Sequence, residues 1–192
     1  MSDPAITLRS ALPGACFQGR TSVAEMGLRG MLTLRGDLAI PAVAQAVKAA
    51  VGLDIPPQRR IILKGDSAVG WMSPDELLLM MPHDMAQAAA GAARKALAQS
   101  HALVADVSDA RCVFRLVGAE APEVLARLAP VDMSGLAADE LRRTRLAQVP
   151  AAFWRSGADS FDLVAFRSVA AYVFDLLQSA AASPTVGYLT ER

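Results

Sequence analysis

Short apolar runs broken by glycine, proline and small polar residues make up most of the chain, and the runs switch between a period of two and a helical period. Residues 31–35 (MLTLR) alternate and predict a strand. Residues 40–51 predict a helix. Pro41 is tolerated in its first turn, where the missing N–H costs nothing, and Gly52 offers a C-terminal stop. IPPQRR turns the chain, and strands are expected at 60–63 and 68–72, joined through Gly65-Asp66-Ser67. Residues 76–81 (ELLLMM) are almost continuously apolar and read as a buried strand. Pro82 ends it, and Asp84 is placed to cap a helix running to about Gln99.

The second half has the same rhythm. Strands predicted at 103–107 and 111–117 flank the polar turn Ser108-Asp109-Ala110. Pro122 opens a helix with Val124, Leu125 and Leu128 on one face. A short helix is expected at 136–143, and strands at 145–149 and 152–155 around Pro150. A strand at 160–166 places Phe161, Leu163 and Ala165 together, and Ser168 caps a last helix striped by Val169, Tyr172, Val173, Leu176 and Leu177. Residues 1–29 read as an irregular, extended arm punctuated by Pro4, Pro13, Gly14, Gly19, Gly27 and Gly30, and a small, polar tail starts at Ser179.

The halves also match each other. MLTLRGDLAIPAVAQAV echoes VFRLVGAEAPEVLARLA, with Gly36 and Gly118 in step. GWMSPDELLLMM and its helix echo FWRSGADSFDLVAF and its helix, with Trp71 and Trp154 in step. The offset is about 82 to 84 residues, the kind of fixed period that marks duplication. Strands outnumber helices and tight turns join them. The expected class is therefore α+β: two related, ferredoxin-like split βαβ units with antiparallel-rich sheets and helices packed on one face. The expected organisation is an arm at 1–29, units at 30–101 and 102–180 forming one compact domain, and a flexible tail at 181–192.

Composition narrows the partners. The chain has 19 basic and 19 acidic residues, so the phosphate neutralisation that drives nucleic-acid binding lacks a source. No apolar run approaches the ~20 residues that span a bilayer. The first 14 residues contain Asp3 and no continuous apolar core, unlike a signal peptide, and a cytoplasmic location is expected. Cys16 and Cys112 form no C-x-x-C and are expected as free thiols. At 53%, the apolar fraction is somewhat high; alanine accounts for much of it, and burial against another chain is the sharper reading.

Candidate chemistry is sparse. His83 and His101 sit at element junctions with no Cys or His at metal spacing. Cys112 begins an apolar strand beside Arg111 and reads as a buried structural cysteine; the catalytic alternative requires an activating histidine such as His101. Gly65-Asp66-Ser67 and Gly157-Ala158-Asp159 lack phosphate-loop spacing and read as turns. Asp106, Asp109 and Arg111 form a charged turn, explained by short polar side chains bonding nearby backbone. Arg142, Arg143 and Arg145 read as a solvated helix end, with an anionic ligand or acidic partner surface as the alternative. Trp71 and Trp154 read as repeat-equivalent core or interface positions, with stacking on a flat pterin-like ring as the alternative. No catalytic, cofactor-binding or metal-binding residue is assigned.

The segment VADVSDARCVFRLVGAEAPEVLARLAPVDM, followed by RTRLAQVPAAFWRSGADSFDLVAFRSVAAYVFDLL, resembles the gamma subunit of heterotetrameric sarcosine oxidase, most specifically over 106–177. The layout is more distantly similar to the folate-binding fold of glycine-cleavage aminomethyltransferases. The gamma-subunit resemblance implies a non-catalytic, organising subunit. Its expected partners are the alpha, beta and delta subunits, which are expected to carry FAD, FMN, NAD, zinc and tetrahydrofolate. The assembly is expected to demethylate sarcosine oxidatively to glycine with hydrogen peroxide and to pass the one-carbon unit to tetrahydrofolate. The alternative is a free-standing tetrahydrofolate-binding protein or aminomethyl transferase.

Overall fold

The computed structural model describes residues 7–184, so residues 1–6 of the arm and 185–192 of the tail lie outside the described residues. The first unit runs β3 (Arg29–Arg35), α1 (Pro41–Val51), β4 (Ile61–Lys64), β5 (Ser67–Ser73), β6 (Glu76–Pro82), α2 (Ala86–Ala96) and β7 (Leu103–Asp106). The second runs β8 (Arg111–Val117), α3 (Ala121–Leu128), β9 (Leu141–Leu146), β10 (Val149–Gly157), β11 (Ser160–Phe166) and α4 (Ala170–Ala182). Two short strands, β1 (Cys16–Phe17) and β2 (Ser22–Glu25), precede both.

Every strand pair is antiparallel. One sheet has the order β4-β5-β6-β3-β7 and the other β9-β10-β11-β8-β2-β1. The duplication is visible in these orders: β3, β4, β5 and β6 correspond to β8, β9, β10 and β11. Two matching bonds fix the register. The Gly36 N–H donates to the Asp75 carbonyl at 3.0 Å, and the Gly118 N–H donates to the Asp159 carbonyl at 2.8 Å. The place that β7 takes beside β3 is taken beside β8 by β2, which comes from the other end of the chain.

The sheets stack face to face, with helices on their outer faces, giving four layers. Alternation along each strand sends one set of side chains to each face. Leu32, Leu34, Leu77, Leu79 and Met81 pack under α1 and α2. Phe114, Leu116, Phe161 and Leu163 pack with Leu125, Val173 and Leu177 of α3 and α4. The opposite set, including Met31, Met72, Leu78, Met80, Val113, Trp154 and Val164, forms a third core between the sheets. Covering both faces explains why β6 is nearly all apolar.

Several local expectations need correction. Residues 16–25 of the arm form β1 and β2, because the open side of β8 gives their backbone a partner. Residues 136–143 are not a helix: Leu141 starts β9, an edge strand paired along its length with β10. Residues 103–106, grouped in sequence with the second unit, pair with β3 in the first sheet. Asp84 and Ser168 lie within 3-10 turns, and neither α2 nor α4 has a side-chain cap hydrogen bond. Helix α2 ends at Ala96, and α4 continues past Ser179 to Ala182. There Arg127 holds the carbonyls of Ala180 and Ser183 at 3.0 and 3.3 Å. The α1 signals act as expected: Pro41 opens it, and Gly52, at φ 70°, closes it by donating its N–H to the Lys48 carbonyl at 2.9 Å.

Candidate functional site

The polar groups with chemical capacity collect around the layer between the sheets. Glu76 at the start of β6 is 6% exposed and faces two arginines of the second unit. Arg143 Nη1 lies 3.3 Å from its Oε2, and Arg111 Nη2 lies 3.6 Å from its Oε1. Arg111 also donates to Thr33 Oγ1 at 3.4 Å, and its guanidinium lies 5.7 Å from the centre of the Phe166 ring. Burial lowers the Arg111 pKa from its ordinary value, against the opposing pull of Glu76. These residues border a small cavity of about 40 Å³ lined by Met72, Arg111, Arg143 and Phe166.

A second cleft of about 250 Å³ opens between the sheets at Met26, Arg29, Asp66, Arg115, Trp154 and Asp162. Arg115 grips Asp162 with both arms, Nε to Oδ1 at 2.7 Å and Nη2 to Oδ2 at 2.8 Å. That bond raises the Arg115 pKa, opposed by burial. Ser156 adds a third hydrogen bond to Asp162 at 3.0 Å, and Arg29 holds the Asp66 carbonyl at 2.8 Å. The Trp154 indole N–H is buried beside these groups with no acceptor.

The third polar region is a corner where edges β4 and β9 meet. Arg60 and Glu140 form an antiparallel bridge. The Ile61 N–H donates to the Asp139 carbonyl at 2.9 Å, and the Leu141 N–H to the Arg59 carbonyl at 3.0 Å. The Glu140 side chain, 7% exposed, accepts from Arg59 and from the Ala137 N–H at 3.2 Å. Arg142 Nε lies 2.9 Å away as an ion pair, off the line of a hydrogen bond. Burial favours a raised Glu140 pKa, but the Ala137 amide and the two guanidiniums together outweigh it and lower the pKa. Gln58, Arg59, Arg60, Gly135, Glu140 and Arg142 line an open surface hollow of about 410 Å³.

Of the residues singled out in sequence, Asp66, Arg111, Arg142, Arg143 and Trp154 lie in these polar regions, and the others lie elsewhere. Cys112 is buried in the core under α3 and α4, and its thiol donates to the carbonyls of Ala165 and Phe166 at 3.7 and 3.9 Å. Burial, followed by the charge of Glu25, pushes its pKa up to about 12, leaving an inert thiol. Cys16 is exposed and free. His83 lies in the turn before α2, and His101 is exposed in the link before β7. No group of three His, Cys, Asp or Glu side chains that could hold a metal occurs among the described residues. Asp106 accepts from the Ser108 N–H and hydroxyl at 3.0 and 2.6 Å, while Ser108 accepts from the Met31 N–H at 3.0 Å. That turn therefore anchors the link after β7 to β3. Gly65-Asp66 and Ala158-Asp159 are two-residue hairpin links. Arg142, Arg143 and Arg145 lie on a strand, so Arg142 faces away from the side that Arg143 and Arg145 share.

The tryptophans are not equivalent. Trp71 pairs with Leu77, whereas Trp154 pairs with Asp162, the counterpart of Leu78. The partner of Trp154 in the first unit is thus Gly70, and Trp71 packs on the helix side while Trp154 lies between the sheets. Three groups that organise the polar regions carried no sequence signal as sites: Glu76, Glu140 and Arg59. The nearest hint was a lone acid at the head of an apolar run, at Glu76.

The arrangement has well-defined relatives. "Sarcosine oxidase subunit gamma" from Corynebacterium sp. (strain P-1) is 30% identical over 164 residues, covering 82% of this chain and 78% of that protein. In structure, a chain of the heterotetrameric sarcosine oxidase from Corynebacterium sp. U-96, solved in complex with pyrrole 2-carboxylate, superposes with a TM-score of 0.77 at 26% identity. That match covers 86% of this chain and 88% of the other. The glycine cleavage system aminomethyltransferase T from Bartonella henselae shares the fold, with a TM-score of 0.53 at 18% identity over 78% of this chain and 43% of the other. Residues 35–183, from the end of β3 to just past α4, match the description "Sarcosine oxidase, gamma subunit family". The duplicated, face-to-face pair of sheets is therefore a gamma-subunit scaffold, and this chain belongs to the sarcosine oxidase gamma subunit family.

Proposed function

We propose that this chain is the organising, non-catalytic gamma subunit of a cytoplasmic heterotetrameric sarcosine oxidase. Its partners are the alpha, beta and delta subunits. The assembly oxidises the N-methyl group of sarcosine, reduces oxygen to hydrogen peroxide, releases glycine and passes the one-carbon unit to tetrahydrofolate. FAD, FMN, NAD, zinc and tetrahydrofolate are bound by the partner subunits. The observation that carries this reading is the superposition of 86% of this chain on a chain of a heterotetrameric sarcosine oxidase, at a TM-score of 0.77. The local chemistry agrees with it. Glu76, Glu140 and Asp162 are each neutralised by arginines, which makes them staples between elements rather than free acids or bases.

The test is co-expression of the four chains with and without this one, followed by sizing and a peroxide assay on sarcosine. Loss of the assembled, active complex on omission supports the proposal. A fully active assembly of the other three subunits overturns it.

A further inference from the structure

The corner at β4 and β9 carries more positive charge than the staple requires. We infer that it is the docking site for an acidic, extended segment of a partner subunit. The inference rests on the proposal that the chain works in a heteromeric complex.

The chain has a formal net charge of zero, yet Arg59, Arg60 and Arg142 line this corner, and Arg143 and Arg145 follow on β9. Asp139 answers Arg60 at 2.8 Å, and Glu140 is shared by Arg59 and Arg142. Arg143 turns to Glu76. Arg145 is exposed and has no ion pair or hydrogen bond among the described residues. Arg142 Nε is buried 2.9 Å from the Glu140 carboxylate, an ion pair without hydrogen-bond geometry. Arg59 stands at φ 60°, a left-handed conformation that strains a non-glycine residue. The chain thus accepts local strain at the residue that reaches over the carboxylate of Glu140.

Shape separates an acidic segment from a single small anion. The corner hollow of about 410 Å³ lies at one end of β9, and the remaining arginines continue along that strand. The arginine stripe on β9, from Arg142 to Arg145, spans roughly 10 Å at about 3.3 Å per residue. One phosphate or carboxylate covers only an end of it. Strand β9 is also the last in its sheet; its outer edge is bonded to the Arg59–Ile61 segment as far as Leu141, and beyond that point it presents backbone donors and acceptors to an incoming extended chain. Guanidiniums on both faces of an open edge suit alternating carboxylates on the added strand. A purely protective role, in which edge charges repel other strands, is the competing outcome.

The experiment measures the affinity of the full chain for the co-purified alpha, beta and delta subunits at several salt concentrations. Variants Arg145→Glu and Arg142→Gln are compared with wild type, and Lys95→Glu on α2 serves as a charge control. Arg145 has no internal partner, so Arg145→Glu is expected to leave the circular dichroism melt unchanged. The expected result is at least about tenfold weaker association for Arg145→Glu, a flatter salt dependence, and no change for Lys95→Glu. Tight wild-type association that Arg145→Glu and Arg142→Gln leave within twofold overturns the docking site and spares the complex reading. So does inorganic phosphate binding the isolated chain at the corner while partner affinity ignores both variants. No wild-type association removes the complex reading, and the docking site with it.

Discussion

Trp154 provides a quantitative test of the stacked-sheet architecture. It is 1% exposed and lies in the core between the sheets, whereas Trp71 is only partly buried on the helix side. A fully buried tryptophan hides about 150–250 Å². At about 25 cal/mol per Å², truncation to alanine forfeits roughly 4–6 kcal/mol. The indole N–H has no acceptor, so its removal returns about 1–3 kcal/mol. The net expectation for Trp154→Ala is a loss of roughly 2–4 kcal/mol, near the usual ~3–5 kcal/mol for this truncation in a core. Trp71→Ala is expected to cost less, about 1–2 kcal/mol, because part of its surface already meets water. Trp154→Phe keeps a ring and removes the orphaned N–H, and should stay within about 1.5 kcal/mol of wild type. Urea unfolding of the full chain, followed by far-ultraviolet circular dichroism, measures all three. Equal losses for the two alanine variants, or a Trp154→Ala loss under about 1 kcal/mol, refute the placement of Trp154 between the sheets.

Three further predictions follow from the same geometry. At pH 8 an excess of a thiol-specific reagent should modify Cys16 in the native chain and reach Cys112 only in denaturant, because burial holds the Cys112 pKa near 12; rapid native modification of both contradicts the core. Gly118 has φ 146°, and a Cβ there meets the Arg20 carbonyl at 2.3 Å and Thr21 Cα at 3.0 Å, so Gly118→Ala should destabilise by roughly 2–4 kcal/mol in thermal melts. The repeat-related Gly36→Ala, which meets the Ala102 side chain at 3.1 Å, should cost clearly less. Glu140 has a lowered folded pKa, so its contribution is complete above the unfolded value of about 4.3 and is lost as pH falls through the folded one. The stability gap between wild type and Glu140→Gln should therefore narrow in acid, and a gap that widens as pH falls contradicts the ion-pair cage.

Where local chemistry and burial agree, the fold was legible. The expected bounds of β8 and β11 match the observed ones, because both are apolar strands between clear turns. Pro41 and Gly52 delimit α1 through backbone properties that need no partner. Where tertiary pairing decides, the signal fails. The segment LAADELRR is rich in helix-favouring residues, and its end became β9 only because β10 folds back on it. Residues 16–25 form strands of only two and four residues, too short for an alternation signal, yet β8 has an unpaired side that captures them. The tryptophan pairing failed through arithmetic. The repeat offset grows from 82 residues at Gly36 and Gly118 to 84 at Asp75 and Asp159, and the tryptophans differ by 83. A one-residue slip sends a strand side chain to the opposite face. The polar regions were the least legible part, because Glu76, Arg111 and Arg143, like Arg59 and Glu140, come from distant segments and meet only when the sheets stack.

The central claim is that this chain is a gamma subunit integral to a sarcosine oxidase. Native mass spectrometry of the four co-expressed chains tests it most directly. The account predicts one copy of this chain in a single heterotetramer with the alpha, beta and delta subunits. An assembly of those three that forms without it, while this chain is recovered alone, contradicts the account.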